Sequence, residues 1–172
     1  IIKFKPRKRL SFFNRYRKNP NKKLPLEIKG LQPGLAVHFA ECCLPLPGED
    51  IYGISEVDVG VIIHSAKCKK LIEDFSEDLW LSATWKDVSK EQLFTSRIKI
   101  SVVNEPGSLG MLATHIGDHC GNIIILNISE KSNDFFDMIF EMNLKNLDHL
   151  KTIITSLKEI DRVSMVKRLY IN

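Results

Sequence analysis

Long apolar runs are missing from these 172 residues. The longest is Ile123 to Leu126, far short of the roughly eighteen needed for a transmembrane helix. No apolar segment follows the basic N-terminus, so no secretory signal is expected. The first residue is Ile rather than Met, which suggests a piece of something longer. Enzyme signatures are absent too. There is no HExxH, no nucleophile elbow, no Gly-Lys-Ser/Thr phosphate loop and no dense carboxylate cluster for magnesium. These absences argue against metalloprotease, acyl-hydrolase and nucleotide triphosphatase chemistry, and no catalytic residue is expected. No aromatic RNA-recognition motif is present either. Cysteine is sparse, at four. Two of the four are adjacent, an awkward arrangement for a disulfide framework. Reduced thiols in a cytoplasmic setting are therefore expected.

What remains has the composition of a globular chain, 44% hydrophobic and 27% charged. The net charge of +4 conceals an asymmetry. Residues 1–30 carry 11 of the 25 Lys and Arg residues against a single acid, Glu27. The rest holds 14 basic and 20 acidic residues, a net of −6. The arm is either a self-repelling, extended linker or a polyanion contact. A short helix from Leu10 to Lys18, with Phe12, Phe13 and Tyr16 on one face, would end at Pro20. The arm has no core of its own in this reading.

Gly30-Leu31-Gln32-Pro33-Gly34 marks a boundary. Residues 31–90 then read as short extended runs around Val37, Phe39, Ile51 and Ile54, with a strand over Val59–His64 and another over Trp80–Trp85. A short helix over Ala66–Phe75 is expected, capped by Ser65. Residues 94–172 are clearer. Alternation over Arg97–Val103 predicts a strand. A helix opens at Ser108 with Leu109, Leu112, Ala113, Ile116 and Cys120 on one buried face, and Gly121-Asn122 closes it. Strands follow over Ile123–Ser129 and Phe135–Leu144, separated by a turn at Ser132-Asn133-Asp134. A helix capped by Asn146 and a last strand over Val163–Ile171 complete the order. That order, β-α-β-β-α-β, predicts two helices on one face of a four-stranded antiparallel sheet. The fold class is α+β: a small Cys/His module of short strands and one helix, then a ferredoxin-like βαββαβ domain.

Two constellations could carry chemistry. Cys42, Cys43, His64 and Cys68 make up the donor set of a closed tetrahedral zinc site. The spacing equally fits buried thiols packed as small hydrophobes. No base-and-orienter set accompanies the thiols, which weighs against a nucleophilic cysteine. His38 reads as a strand residue. The second constellation is Asn104-Glu105-Pro106-Gly107-Ser108-Leu109-Gly110, a turn opening a helix, whose backbone N–H groups suit an anion such as a ligand carboxylate. Asn122, after the helix, could supply an amide to the same pocket from the next strand. A tight loop without ligand is the plain alternative.

Val37 to Gly48, Ile51 to Ile54 and Gly60 to His64 with Cys68 resemble the Cys-containing module of RelA/SpoT homologues, the long-chain guanosine tetra- and pentaphosphate enzymes of the bacterial stringent response. Asn104 to Leu109 and Gly121 to Ile123 resemble the ACT domain that ends the same proteins. The Lys/Arg-rich stretch before Pro25 is similar to alphaproteobacterial members. Leu44 stands where many relatives have His, and Glu49 where they have Asp. The resemblance implies regulation rather than chemistry, since the family's GTP diphosphokinase and guanosine-3',5'-bis(diphosphate) 3'-diphosphatase domains lie N-terminal to these modules. It implies zinc at Cys42, Cys43, His64 and Cys68. It implies a branched-chain amino acid at Asn104, Gly107, Ser108, Leu109, Gly110, Asn122 and Ile123, with a homodimer formed through the ACT domain. The implied partners are the catalytic half and, as an alternative role, ribosomal large-subunit RNA.

Overall fold

In a computed structural model, the chain is described over residues 25–29, 35–131 and 134–171. The basic arm up to residue 24, the helix expected over Leu10–Lys18, the Gly30–Gly34 boundary and the Ser132-Asn133 part of the turn lie outside the described residues.

The N-terminal module is a five-stranded sheet of β1 (Leu26–Ile28), β2 (Val37–Phe39), β3 (Ile51–Glu56), β4 (Gly60–Ser65) and β5 (Leu81–Trp85). The order is β1-β5-β3-β4-β2, with β2 parallel to β4 and the other pairs antiparallel. β1 corrects the reading of residues 1–30 as coreless. Ile28 is buried and packs with Ile51, Val61, Ile63 and Ala83. Three residues are too short for a periodic signal, and only pairing with β5 makes them a strand. Gly60 is required for contact as well as conformation. Its φ is +110°, and a Cβ there would lie 2.2 Å from the Ala36 carbonyl oxygen. That oxygen accepts the Val61 N–H at 2.8 Å, tying β4 to the chain entering β2.

Helix α1 (Lys69–Asp74) begins later than the sequence suggests. Ser65 is the last residue of β4, and its hydroxyl accepts from the Lys67 N–H while its carbonyl accepts from Cys68 N–H. Ser65 thus caps the turn, leaving Cys68 at the helix N-cap. Leu71 seats the helix against Ala40, Cys43, Ile54 and Cys68.

The second module follows the expected βαββαβ order. β6 (Phe94–Val103) is buried at every second residue. After helix α2 (Ser108–Asp118) come β7 (Asn122–Lys131), β8 (Phe135–Leu144), helix α3 (Leu147–Lys158) and β9 (Val163–Arg168). The antiparallel sheet runs β7-β8-β6-β9. Its core joins Ile98, Ile100, Val102 and Phe140 to Leu112 and Ile116 of α2 and Leu150, Ile153 and Leu157 of α3. The Asn146 side chain accepts the His149 N–H at 2.8 Å, the N-cap expected for α3.

Cys120 departs from expectation. It is exposed, with φ +60°, and lies beyond the end of α2. The Cys120 N–H donates to Gly117 O and the Gly121 N–H to Ile116 O, a Schellman closure with Cys120 as the left-handed residue. Gly121 serves close approach instead: a Cβ there would sit 2.7 Å from Ile116 Cγ2.

The modules share packing. Leu46, from the loop between β2 and β3, is fully buried in the βαββαβ core. Trp85 stacks on Phe39 at 5.5 Å and meets the edge of Phe94 at 5.5 Å. The Trp85 indole N–H donates to the Glu49 carbonyl.

Candidate metal centre

Cys42 and Cys43 lie on the loop after β2, His64 near the end of β4, and Cys68 at the head of α1. The β3–β4 hairpin and the turn at Ser65 aim the last two at the loop. All four donor atoms fall within 4.8 Å of one another, and Cys43, His64 and Cys68 are buried. Cys42 Sγ lies 3.6 Å from His64 Nδ1 and 3.5 Å from Cys68 Sγ; Cys43 Sγ lies 3.9 Å from His64 Nδ1. A tetrahedron with zinc–sulfur bonds of about 2.3 Å has edges of roughly 3.5–3.8 Å. The donor set suits a tetrahedral soft-ligand ion such as Zn2+ in its chemistry, and the Cys42–His64, Cys42–Cys68 and Cys43–His64 separations lie close to those edges. Four protein donors leave no open position, the character of a structural site.

The thiols titrate together. Cys42 is held down to about 4 by the hydrogen bond from Cys43, helped by those from His64 and Cys68. The same bond to Cys42, with burial, pushes Cys43 far up. Burial raises Cys68.

The loop carrying Cys42 and Cys43 is gripped from the second module. Arg168 Nη2 donates to the carbonyls of Cys43 at 3.2 Å and Leu44 at 2.9 Å, and Arg168 Nη1 pairs with the Glu49 carboxylate. Both side chains of that pair are close to fully buried. Glu49 reads in the sequence as an ordinary loop acid; nothing local marks its partner, 119 residues away. His38 is an exposed β2 residue outside the cluster.

The second predicted site divides in two. Gly107, at φ +87°, opens α2, and buried Ser108 donates its hydroxyl to Val103 O at 2.9 Å. Asn104 N–H donates to Asp134 O, Leu109 is exposed, and a Cβ on Gly110 would meet nothing within 4 Å. Asn122 and Ile123, however, sit at the other end of α2. Asn122 is level with Asn143 of β8, whereas Val103 is level with Phe135, a separation of roughly 27 Å along the strand. A single chain does not bring them to the turn, because a strand–helix–strand crossover starts its second strand at the far end of the sheet.

Residues 26–86 match the family model of the RelA/SpoT RIS domain, and residues 90–168 that of the ACT domain. The chain is 34% identical over 148 residues to the GTP pyrophosphokinase rsh of Brucella abortus, covering 85% of this chain and 20% of that protein. It is 28% identical over 144 residues to the bifunctional (p)ppGpp synthase/hydrolase SpoT of Escherichia coli, covering 83% and 20% respectively. The chain thus spans about a fifth of the length of these curated relatives. Among solved structures it is similar to the ACT domain from a GTP pyrophosphokinase of Chlorobium tepidum, at 23% identity and a TM-score of 0.41, covering 45% of this chain and all of that one.

Proposed function

The chain belongs to the RelA/SpoT homologues, as the RIS and ACT regulatory region of such a protein, and on that premise we propose that it senses a branched-chain amino acid and biases an N-terminal catalytic half between making and degrading (p)ppGpp. A ligand does this by binding one arrangement of the domains better than another. The setting is the cytoplasm. No helix among the described residues is long and apolar enough to cross a membrane.

The observation that carries this reading is the turn over Asn104–Gly110. Its left-handed glycine opens α2 and its buried serine fixes the entry. The first-turn N–H groups of a helix have no partner within the helix and favour a carboxylate. The remaining residues come from a second copy. β7 is an edge strand exposing Ile124, Leu126 and Ile128. Antiparallel pairing of two β7 strands about a two-fold axis brings Asn122 and Ile123 of one copy level with the turn of the other. Titration calorimetry with valine, leucine and isoleucine, beside sedimentation, tests this. Ligand-specific heat from a dimeric chain is expected; a folded chain giving neither heat nor a rise in Tm overturns the reading.

The Cys/His cluster holds Zn2+ in this proposal, as a structural ion pinning the loop of Cys42 and Cys43 to His64 of β4 and Cys68 of α1. Elemental analysis of the purified chain tests it. Arg97 and Lys99 of β6 are each held by a carboxylate, of Glu141 and Asp137, which leaves these two cations little charge to offer an RNA backbone.

A further inference from the structure

The two halves of the metal centre are built on different foundations. His64 and Cys68 belong to elements of the RIS module. Cys42 and Cys43 sit on a loop whose backbone is fixed largely from the ACT domain. Four consecutive carbonyls of that loop accept hydrogen bonds from ACT residues: Glu41 O from Arg97 Nη1 at 2.7 Å, Cys42 O from the Ile171 N–H at 2.8 Å, and Cys43 O and Leu44 O from Arg168. Further along, Pro47 O accepts the Leu147 N–H at the start of α3. Leu44 is held at φ +47°, a conformation a leucine adopts only when its surroundings impose it.

We propose that the ACT domain positions the thiol pair of the metal centre, with Arg168 as the chief positioning residue, so that metal affinity and the docking of the two modules are reciprocally linked. The inference rests on the reading of the cluster as a metal site. The ion needs both sulfurs at tetrahedral spacing, and the loop reaches that spacing while its carbonyls are engaged by Arg97, Arg168 and Ile171. Whatever strengthens those contacts tightens metal binding, and by linkage metal binding strengthens the contacts to the same degree. A change in the ACT domain is then felt at the metal centre, and loss of metal is felt in the ACT domain.

The experiment uses the whole chain, with Zn2+ competed by a chromophoric chelator and Co2+ absorption reporting the ligand set. Arg168→Lys keeps the charge but loses the planar fork. Ile171→Pro deletes a single backbone donor. Both are expected to weaken Zn2+ binding by on the order of tenfold or more, the usual effect of losing an outer-shell partner, with the Co2+ spectrum unchanged. Val102→Ala, which destabilises the ACT core at the opposite end of β6 from Arg97 and the Arg168 pairing, is expected to leave affinity unchanged. Equal affinities in wild type and both variants overturn the inference, as does an equal loss in Val102→Ala. A wild-type chain that takes up no Zn2+ overturns the metal reading and this inference with it. Should a variant fail to fold, hydrogen exchange of the wild type decides. Added Zn2+ is expected to slow exchange at the Ile171 and Leu147 amides relative to Val166 in the ACT sheet, and no such slowing overturns the proposal.

Discussion

Cys120 is the residue whose environment differs most from its sequence appearance. It extends the i, i+3, i+4 stripe of α2, yet it occupies the left-handed position that closes the helix. A non-glycine residue pays about 1 kcal/mol for that conformation. Cys120→Gly is therefore expected to stabilise the chain by about 1 kcal/mol in urea denaturation, with the metal centre untouched; a loss of stability would mean that the thiol makes contacts that offset the strain. Glu49 is the opposite case, a loop acid that tertiary structure buries against Arg168. Removing its charge leaves a buried guanidinium with two carbonyls and the Tyr170 ring but no carboxylate. Glu49→Ala is expected to cost about 3 kcal/mol, measured by the same denaturation. Its periodicity and neighbours carry no hint of this, because an ion pair spanning 119 residues leaves no local pattern.

Among the elements, those with strong periodicity or a side-chain cap were legible. β8 and α3 fall where alternation and Asn146 place them, since both signals are local. Asn146→Ala is expected to cost about 1 kcal/mol through loss of the cap, read as a lowered denaturation midpoint with unchanged slope. Helix α1 starts three residues later than expected because the Ser65 hydroxyl and carbonyl are engaged by the turn before it. β1 was hidden because an edge strand of three residues exists only through its partner. The exposed apolar side chains of β7 belong to this scale as well. Ile128→Lys is expected to shift sedimentation toward monomer and to abolish amino-acid heat without unfolding the chain; an unchanged dimer would move the interface elsewhere.

For the whole molecule, Leu46 in the ACT core and the Phe39–Trp85–Phe94 cluster imply that the modules unfold together. Both tryptophans, Trp80 and Trp85, lie in the RIS module, whereas the two longest helices among the described residues lie in the ACT domain. Tryptophan fluorescence and far-ultraviolet circular dichroism are expected to report coincident transitions; separated midpoints would show that the interface is too weak to couple them. The proposed metal binding carries a pH dependence. Cys43 and Cys68 have raised pKa values and are protonated at neutral pH in the absence of metal. Binding as thiolates releases those protons, so Zn2+ affinity is expected to rise with pH, checked by chelator competition between pH 6 and 8. By itself the sequence determined the α+β class, the βαββαβ order, the four candidate metal ligands and the turn at Gly107, because periodicity, caps, turn residues and donor types are properties of neighbours along the chain. Tertiary structure alone decided that the four donors converge, that Asn122 lies far from the turn it was expected to serve, and that Glu49 and Arg168 join the modules. Those depend on strand order and crossover direction, which bring together residues that share no local pattern.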